Sequence, residues 1–111
     1  MNLLEKIKTA PESISFAEVI SFIDEHYKFT PTRFTNGATV NEANQNNGSC
    51  KIFSFAKLQQ LSPEQTLQLF GDYYHVDVLQ NPSGTNHQNI RNFLISGWEG
   101  ISFEGDALLE K

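Results

Sequence analysis

Ser62-Pro63-Glu64-Gln65-Thr66-Leu67-Gln68-Leu69-Phe70-Gly71-Asp72-Tyr73-Tyr74-His75-Val76-Asp77-Val78-Leu79 carries the clearest start signal in the chain. Ser62 can accept a backbone N–H as an N-cap, and Pro63 suits the first helical position. Gln65 stands where a capping-box partner reaches back. Behind that start, Leu67, Phe70, Tyr74 and Val78 fall on one helical stripe, and Leu69, Tyr73 and Val76 on a second. A helix apolar on two sides is covered by neighbours, so the pattern predicts a central helix from Pro63 to about Leu79. Gly71 inside it weakens the helix by roughly 1 kcal/mol relative to Ala, or admits a close approach of another element. Asn81-Pro82 ends it.

Downstream, Thr85 and Gln88 read as a second capping box, opening a helix with Ile90, Phe93 and Leu94 inward that closes at Gly97. Upstream, Cys50 to Ala56 fits a strand or a helix, and the helix formers from Ala56 to Leu61 favour helix. Residues Asn36 to Ser49 hold five Asn and two Gly with little that is apolar. They read as a loop bracketed by Asn36-Gly37 and Asn47-Gly48, both suited to positive-φ turns. With little to bury, the interval Gly37 to Asn47 is expected to be the most mobile internal segment. Ser15 with Glu18 makes another capping box, and Phe16, Val19, Ile20, Ile23 and Tyr27 recur at helical spacing to about Lys28. A short first helix covers Leu3 to Lys8 and stops before Pro11. The tail from Trp98 to Phe103 alternates as a short strand, with extended chain near Phe29 to Phe34 as its partner. The expectation is a mainly α fold: a compact single-domain bundle of about five helices over residues 1–111, with a short two-stranded β element.

Composition narrows the function classes. The chain has 111 residues and a formal net charge of -5, with eight scattered basic residues. Phosphate recognition needs clustered Lys and Arg, so nucleic acid is not the expected partner, and a membrane surface is disfavoured on the same ground. Nine Phe against one Trp and one Met predict a core of rigid rings. The single cysteine, Cys50, cannot form an internal disulfide, which fits a reducing, cytoplasmic setting. The residues after Met1 alternate charge with aliphatics and lack the apolar stretch of a general export signal, so Asn47-Gly48-Ser49 is not expected to be glycosylated.

Cys50 is the one candidate nucleophile. His75 or His87 could serve as base, with Asp72, Asp77 or Asn89 as orienter, and Cys50, His87 and Asp77 form the preferred catalytic set. Beside Ile52 and Phe53 a packing role for the thiol is favoured, with a raised pKa and slow alkylation. No metal and no cofactor are implied: His26, His75 and His87 lie far apart in sequence, and no glycine-rich phosphate loop is present. Asn86, His87, Asn89 and Arg91 concentrate hydrogen-bonding side chains at a helix start and, with Trp98, make the candidate binding set. Arg91 could fork onto a carboxylate or phosphate, although an ion pair with Asp72 or Asp77 is the favoured reading. Of Tyr73, Tyr74 and Trp98, one is expected at the surface and the others in the core.

The runs Phe34-Thr35-Asn36-Gly37 and Asn47-Gly48-Ser49-Cys50-Lys51-Ile52-Phe53-Ser54-Phe55-Ala56 resemble the HopJ type III effector family. So do Leu69-Phe70-Gly71-Asp72-Tyr73-Tyr74, Asp77-Val78-Leu79, His87-Gln88-Asn89-Ile90-Arg91 with Phe93, and Gly97-Trp98. The similarity runs from about Phe16 to Leu108. It implies delivery of one or more members from plant-associated bacteria into host cells by type III secretion, and supplies no reaction or catalytic residue to carry over. The resulting expectation is a monomeric effector-like or accessory protein that binds a host or bacterial protein and is not an enzyme. The rivals are a small thiol enzyme using Cys50 with a histidine, and a type III chaperone-like adaptor.

Overall fold

Six α-helices and five short antiparallel strands make up the computed structural model, which describes residues 2–111. Helix α1 spans Leu3–Thr9 and α2 spans Phe16–His26, followed directly by strand β1, Tyr27–Phe29. Strands β2 (Phe34–Asn36) and β3 (Thr39–Asn41) form a hairpin. Helix α3 covers Asn47–Leu58, α4 Pro63–Gln68, α5 Asp72–His75 and α6 Gln88–Ser96. A 3₁₀ turn at Gly97–Gly100 leads into β4, Ile101–Phe103, and β5, Leu108–Glu110, closes the chain. The mainly helical expectation holds, with six α-helices rather than five and two small sheets rather than one two-stranded element.

The expected central helix from Pro63 to Leu79 is not continuous. Its start is as read: Gln65 N donates to Ser62 Oγ at 3.1 Å and Ser62 N donates to Gln65 Oε1 at 3.0 Å. It breaks at Gly71, whose φ of +57° and ψ of -130° are closed to other residues without strain. The break lets this backbone lie against the entry to α2, where a Cβ on Gly71 would stand 2.9 Å from Phe16 N. Of the two stripes, Leu67, Leu69, Phe70 and Val78 are buried, while Tyr73 and Val76 are exposed. The central place belongs to α3, in which the run Ile52 to Ala56 is buried all round. That uninterrupted burial is why the segment carries no helical stripe and reads equally as a strand.

Strand pairing moves other boundaries. Ser15 Oγ accepts from Glu18 N as predicted, but the Glu18 carboxylate takes the Lys6 ammonium at 3.0 Å instead of closing the box. Helix α2 ends at His26, short of Lys28, because Tyr27 to Phe29 pair with Leu108 to Glu110. In the second sheet β2 lies between β3 and β4, so the tail strand pairs with Phe34 to Asn36, and Trp98 to Gly100 belong to the 3₁₀ turn. The supposed loop Asn36 to Ser49 holds the end of β2, all of β3 and the first turn of α3. Gly37, at φ +60°, makes the two-residue hairpin turn, whereas Gly48 sits inside α3. The Thr85–Gln88 box does not form: His87, at φ +53°, precedes α6 without a side-chain cap, and Gln88 Nε2 donates to the Thr85 carbonyl. Closure of that helix at Gly97 is as read.

Phe34, Phe53, Phe55, Phe70 and Phe93 are the fully buried rings of the core. Phe53 meets Phe93 at 5.0 Å, Phe70 at 5.4 Å and Phe34 at 6.1 Å between centroids, in tilted or edge-on geometries that suit the ring quadrupoles.

Candidate functional site

The hairpin, α3 and α6 are joined by a cluster of asparagines. Asn41 Nδ2 donates to Asn89 Oδ1 at 3.1 Å and Asn89 Nδ2 returns a bond to Asn41 Oδ1 at 2.9 Å. Asn46 Nδ2 adds a second donor to Asn41 Oδ1 at 2.7 Å, and Asn36 Nδ2 reaches the Asn89 carbonyl at 2.7 Å. From α6, Asn92 Nδ2 donates to the Asn36 carbonyl and to Thr39 Oγ1. Asn36, Asn41 and Asn89 are buried, so these amides take most of their partners from within the cluster, and Asn36 Oδ1 is left without one among the described residues. The outcome is that the N-terminal ends of α3 and α6 are pinned to one hairpin.

Beside this cluster opens a cleft of about 380 Å³, whose lining includes Phe16, Phe70 and Tyr73 together with Ser49, His87 and Asn89. Its wall is a row of rings, with Tyr73 edge-on to Phe16 at 5.0 Å and tilted over His87 at 5.1 Å. His87 Nε2 lies 3.0 Å from Asp77 Oδ2, which ties the α6 start to the segment after α5. Asn46 and His87, which precede α3 and α6, both adopt left-handed backbone and make no side-chain cap. A lining that mixes rings with amide, hydroxyl and imidazole groups can take both apolar side chains and hydrogen-bonding groups.

Cys50 is 1 % exposed and does not line this cleft. Its Sγ donates to the Thr32 carbonyl at 3.6 Å, a bond that needs the proton on sulfur. Burial pushes the thiol pKa above its ordinary value. The structure thus brings His87 and Asp77 together and leaves Cys50 apart from them. Among the described residues Arg91 pairs with no carboxylate. Its guanidinium instead collects carbonyls, with Nε on Asn86 at 2.6 Å, Nη1 on Asn81 at 2.8 Å and Nη2 on Asp77 at 3.2 Å, and Nη2 also holds Asn86 Oδ1 at 2.8 Å. Arg91 and Asn86 thereby fix the 77–86 loop instead of facing a ligand. Trp98 packs edge-on against Phe53 and Phe93, and its Nε1 donates to the Leu61 carbonyl at 2.9 Å, which holds it against the core. Tyr73 is the exposed member of the three large aromatics, while Tyr74 and Trp98 are half-buried.

Sequence reasoning missed Asn36, Asn41 and Asn46 because polar runs read as loops. The available signal was Asn36-Gly37 beside Thr39-Val40, a hairpin turn next to β-branched residues. Among the described residues no group of three His, Cys, Asp or Glu side chains could hold a metal ion, and no helix is long and apolar enough to cross a membrane.

A family model described as HopJ type III effector protein matches residues 1–108 of the chain. A crystal structure of a protein of unknown function, VPA0580, superposes with a TM-score of 0.97 at 51% sequence identity, covering 100% of this chain and 95% of that one. A comparison with curated proteins finds no match.

Proposed function

The chain belongs to the HopJ type III effector family, and from that premise we propose that it is an effector-like or accessory protein that works by gripping a partner protein in the Phe16–Tyr73–His87 cleft. The observation that carries this reading is the make-up of the cleft: a row of rings, Phe16, Tyr73 and His87, beside amide and hydroxyl groups, with the chain's one thiol elsewhere and buried. A nucleophile has to reach its substrate, and Cys50 has neither exposure nor a histidine among its hydrogen-bond partners. That favours binding over the thiol-enzyme reading. A chaperone-like adaptor would use the same binding surface toward a bacterial client. Family membership supports delivery into a host cell by type III secretion as the route to a host partner.

The test is capture with site-specific photo-crosslinking from Tyr73, followed by identification of the captured protein. Capture of a defined partner should fall with Tyr73→Ala and with His87→Ala and persist with Cys50→Ser. Loss of capture with Cys50→Ser, at unchanged stability, would overturn the binding reading in favour of thiol chemistry. A translocation reporter fused to the chain separately tests delivery.

A further inference from the structure

At the other end of α6 the surface changes character. Ile95 is 84 % exposed and Leu94 44 %, although the sequence pattern places Leu94 inward. Both line a groove of about 640 Å³ between α4 and α6, with the buried Leu67 and Phe93 beneath it and Tyr74 also in its lining. An isoleucine this far out of a nine-residue helix gives up its burial energy to water in the free protein. The charged lining residue is Glu64, in the first turn of α4, and among the described residues it has no ion-pair partner. Burial and the Glu64 charge both push the Tyr74 hydroxyl pKa up from its ordinary value.

The basic residues of the chain itself are largely committed. Lys6, Lys51 and Arg33 are in ion pairs, Arg91 and Lys111 hold backbone carbonyls, and Lys57 sits over the Phe103 ring. A second copy would also bring the same net charge of -5. Charge therefore favours a basic occupant over self-association.

We propose that the α4–α6 groove docks a basic amphipathic helix of another protein. Its apolar side chains cover Leu94 and Ile95, and a Lys or Arg at its edge pairs with Glu64. This is the helix-in-groove mode, with anchors spaced three and four residues apart. It is a second surface, independent of the cleft at the α6 start.

The experiment titrates the full chain with two amphipathic helical peptides, one patterned Leu/Lys and one Leu/Glu, reading backbone amide shifts and fluorescence anisotropy. The Leu/Lys peptide should shift residues 64–68 and 93–97 and bind at least about tenfold more tightly than Leu/Glu. Ile95→Glu should weaken it about tenfold or more with the thermal midpoint unchanged, and Ile95→Ser, which adds no charge, should weaken it in the same direction. Glu64→Lys should abolish the preference for the basic peptide. Equal binding of the two peptides, shifts confined to other residues, or a preference that survives Glu64→Lys would overturn the proposal. So would a concentration-dependent dimer in sedimentation velocity that Ile95→Glu abolishes, since it would give the face to a second copy.

Discussion

Two buried regions of this protein work by opposite rules. Around Phe53 the rings of Phe34, Phe70 and Phe93 pack with no polar atom to satisfy, and around Asn89 the buried amides of Asn36 and Asn41 are held by hydrogen bonds. The rings contribute by area and shape, so stability there scales with volume removed. The amides gain little net energy from each bond but incur a full desolvation cost if one partner is lost. The first region therefore sets how stable the fold is. The second sets which way the hairpin and two helix ends meet, and through them the shape of the cleft.

The largest expected effect is in the ring core. Phe53→Ala should cost about 3–5 kcal/mol in denaturant unfolding, and Phe53→Leu clearly less, because volume is the controlling quantity. Equal costs for the two would break the contrast. Next comes the backbone that brings Phe16 and Phe70 together: Gly71→Ala should cost about 3 kcal/mol, from a φ that alanine rarely adopts and a Cβ 2.9 Å from Phe16 N. A tolerated alanine there would mean that the α4–α5 break is not held by this contact.

In the asparagine cluster, Asn41→Leu should cost about 2 kcal/mol by leaving Asn89 Nδ2 without its acceptor. The double variant Asn41→Leu with Asn89→Leu should fall short of the sum by about 1 kcal/mol or more. Additive costs would show that the amides do not act as a unit.

Cys50 lies where the two regions meet, its N–H on the Asn46 carbonyl at 3.0 Å and its thiol buried. Cys50→Ser should cost about 1 kcal/mol by placing a hydroxyl in an apolar setting. Unfolded cysteine ionises near about pH 8.5, and burial raises the native thiol above its ordinary value. Between those two pKa values the unfolded chain binds fewer protons than the native one. Stability should therefore be level below about pH 8.5 and fall as pH rises through that window, by up to about 1.4 kcal/mol per pH unit. Cys50→Ser should remove that fall. Iodoacetamide labelling of the folded protein should be slow at neutral pH; rapid labelling with an apparent pKa below about 7 would reverse the assignment.

The smallest effect concerns mobility. Residues 42–46 are exposed, while Asn36 and Asn41 are fully buried. Amide exchange should accordingly be fast at Glu42 to Asn46 and slower in the hairpin, which narrows the mobility expected for the whole Gly37–Asn47 interval. Uniformly fast exchange across the hairpin would deny the cluster its fixing role.

Local chemistry determined a good deal of this protein. The caps at Ser15 and Ser62, the stop at Gly97, the phenylalanine core and the buried thiol depend on neighbours within a turn or on transfer of apolar surface, so residue type and spacing state them outright. The family resemblance also lay open in the order of the motifs. What tertiary structure alone decided depends on partners far along the chain. Gly71 breaks an apparent helix because the α2 entry presses on it, and Tyr27 leaves helix for strand because Glu110 arrives beside it. Asn36 and Asn41 become buried because Asn89, 48 or more residues away, supplies their bonds. A hydrogen bond's direction belongs to both of its ends, and one stretch of sequence contains only one of them.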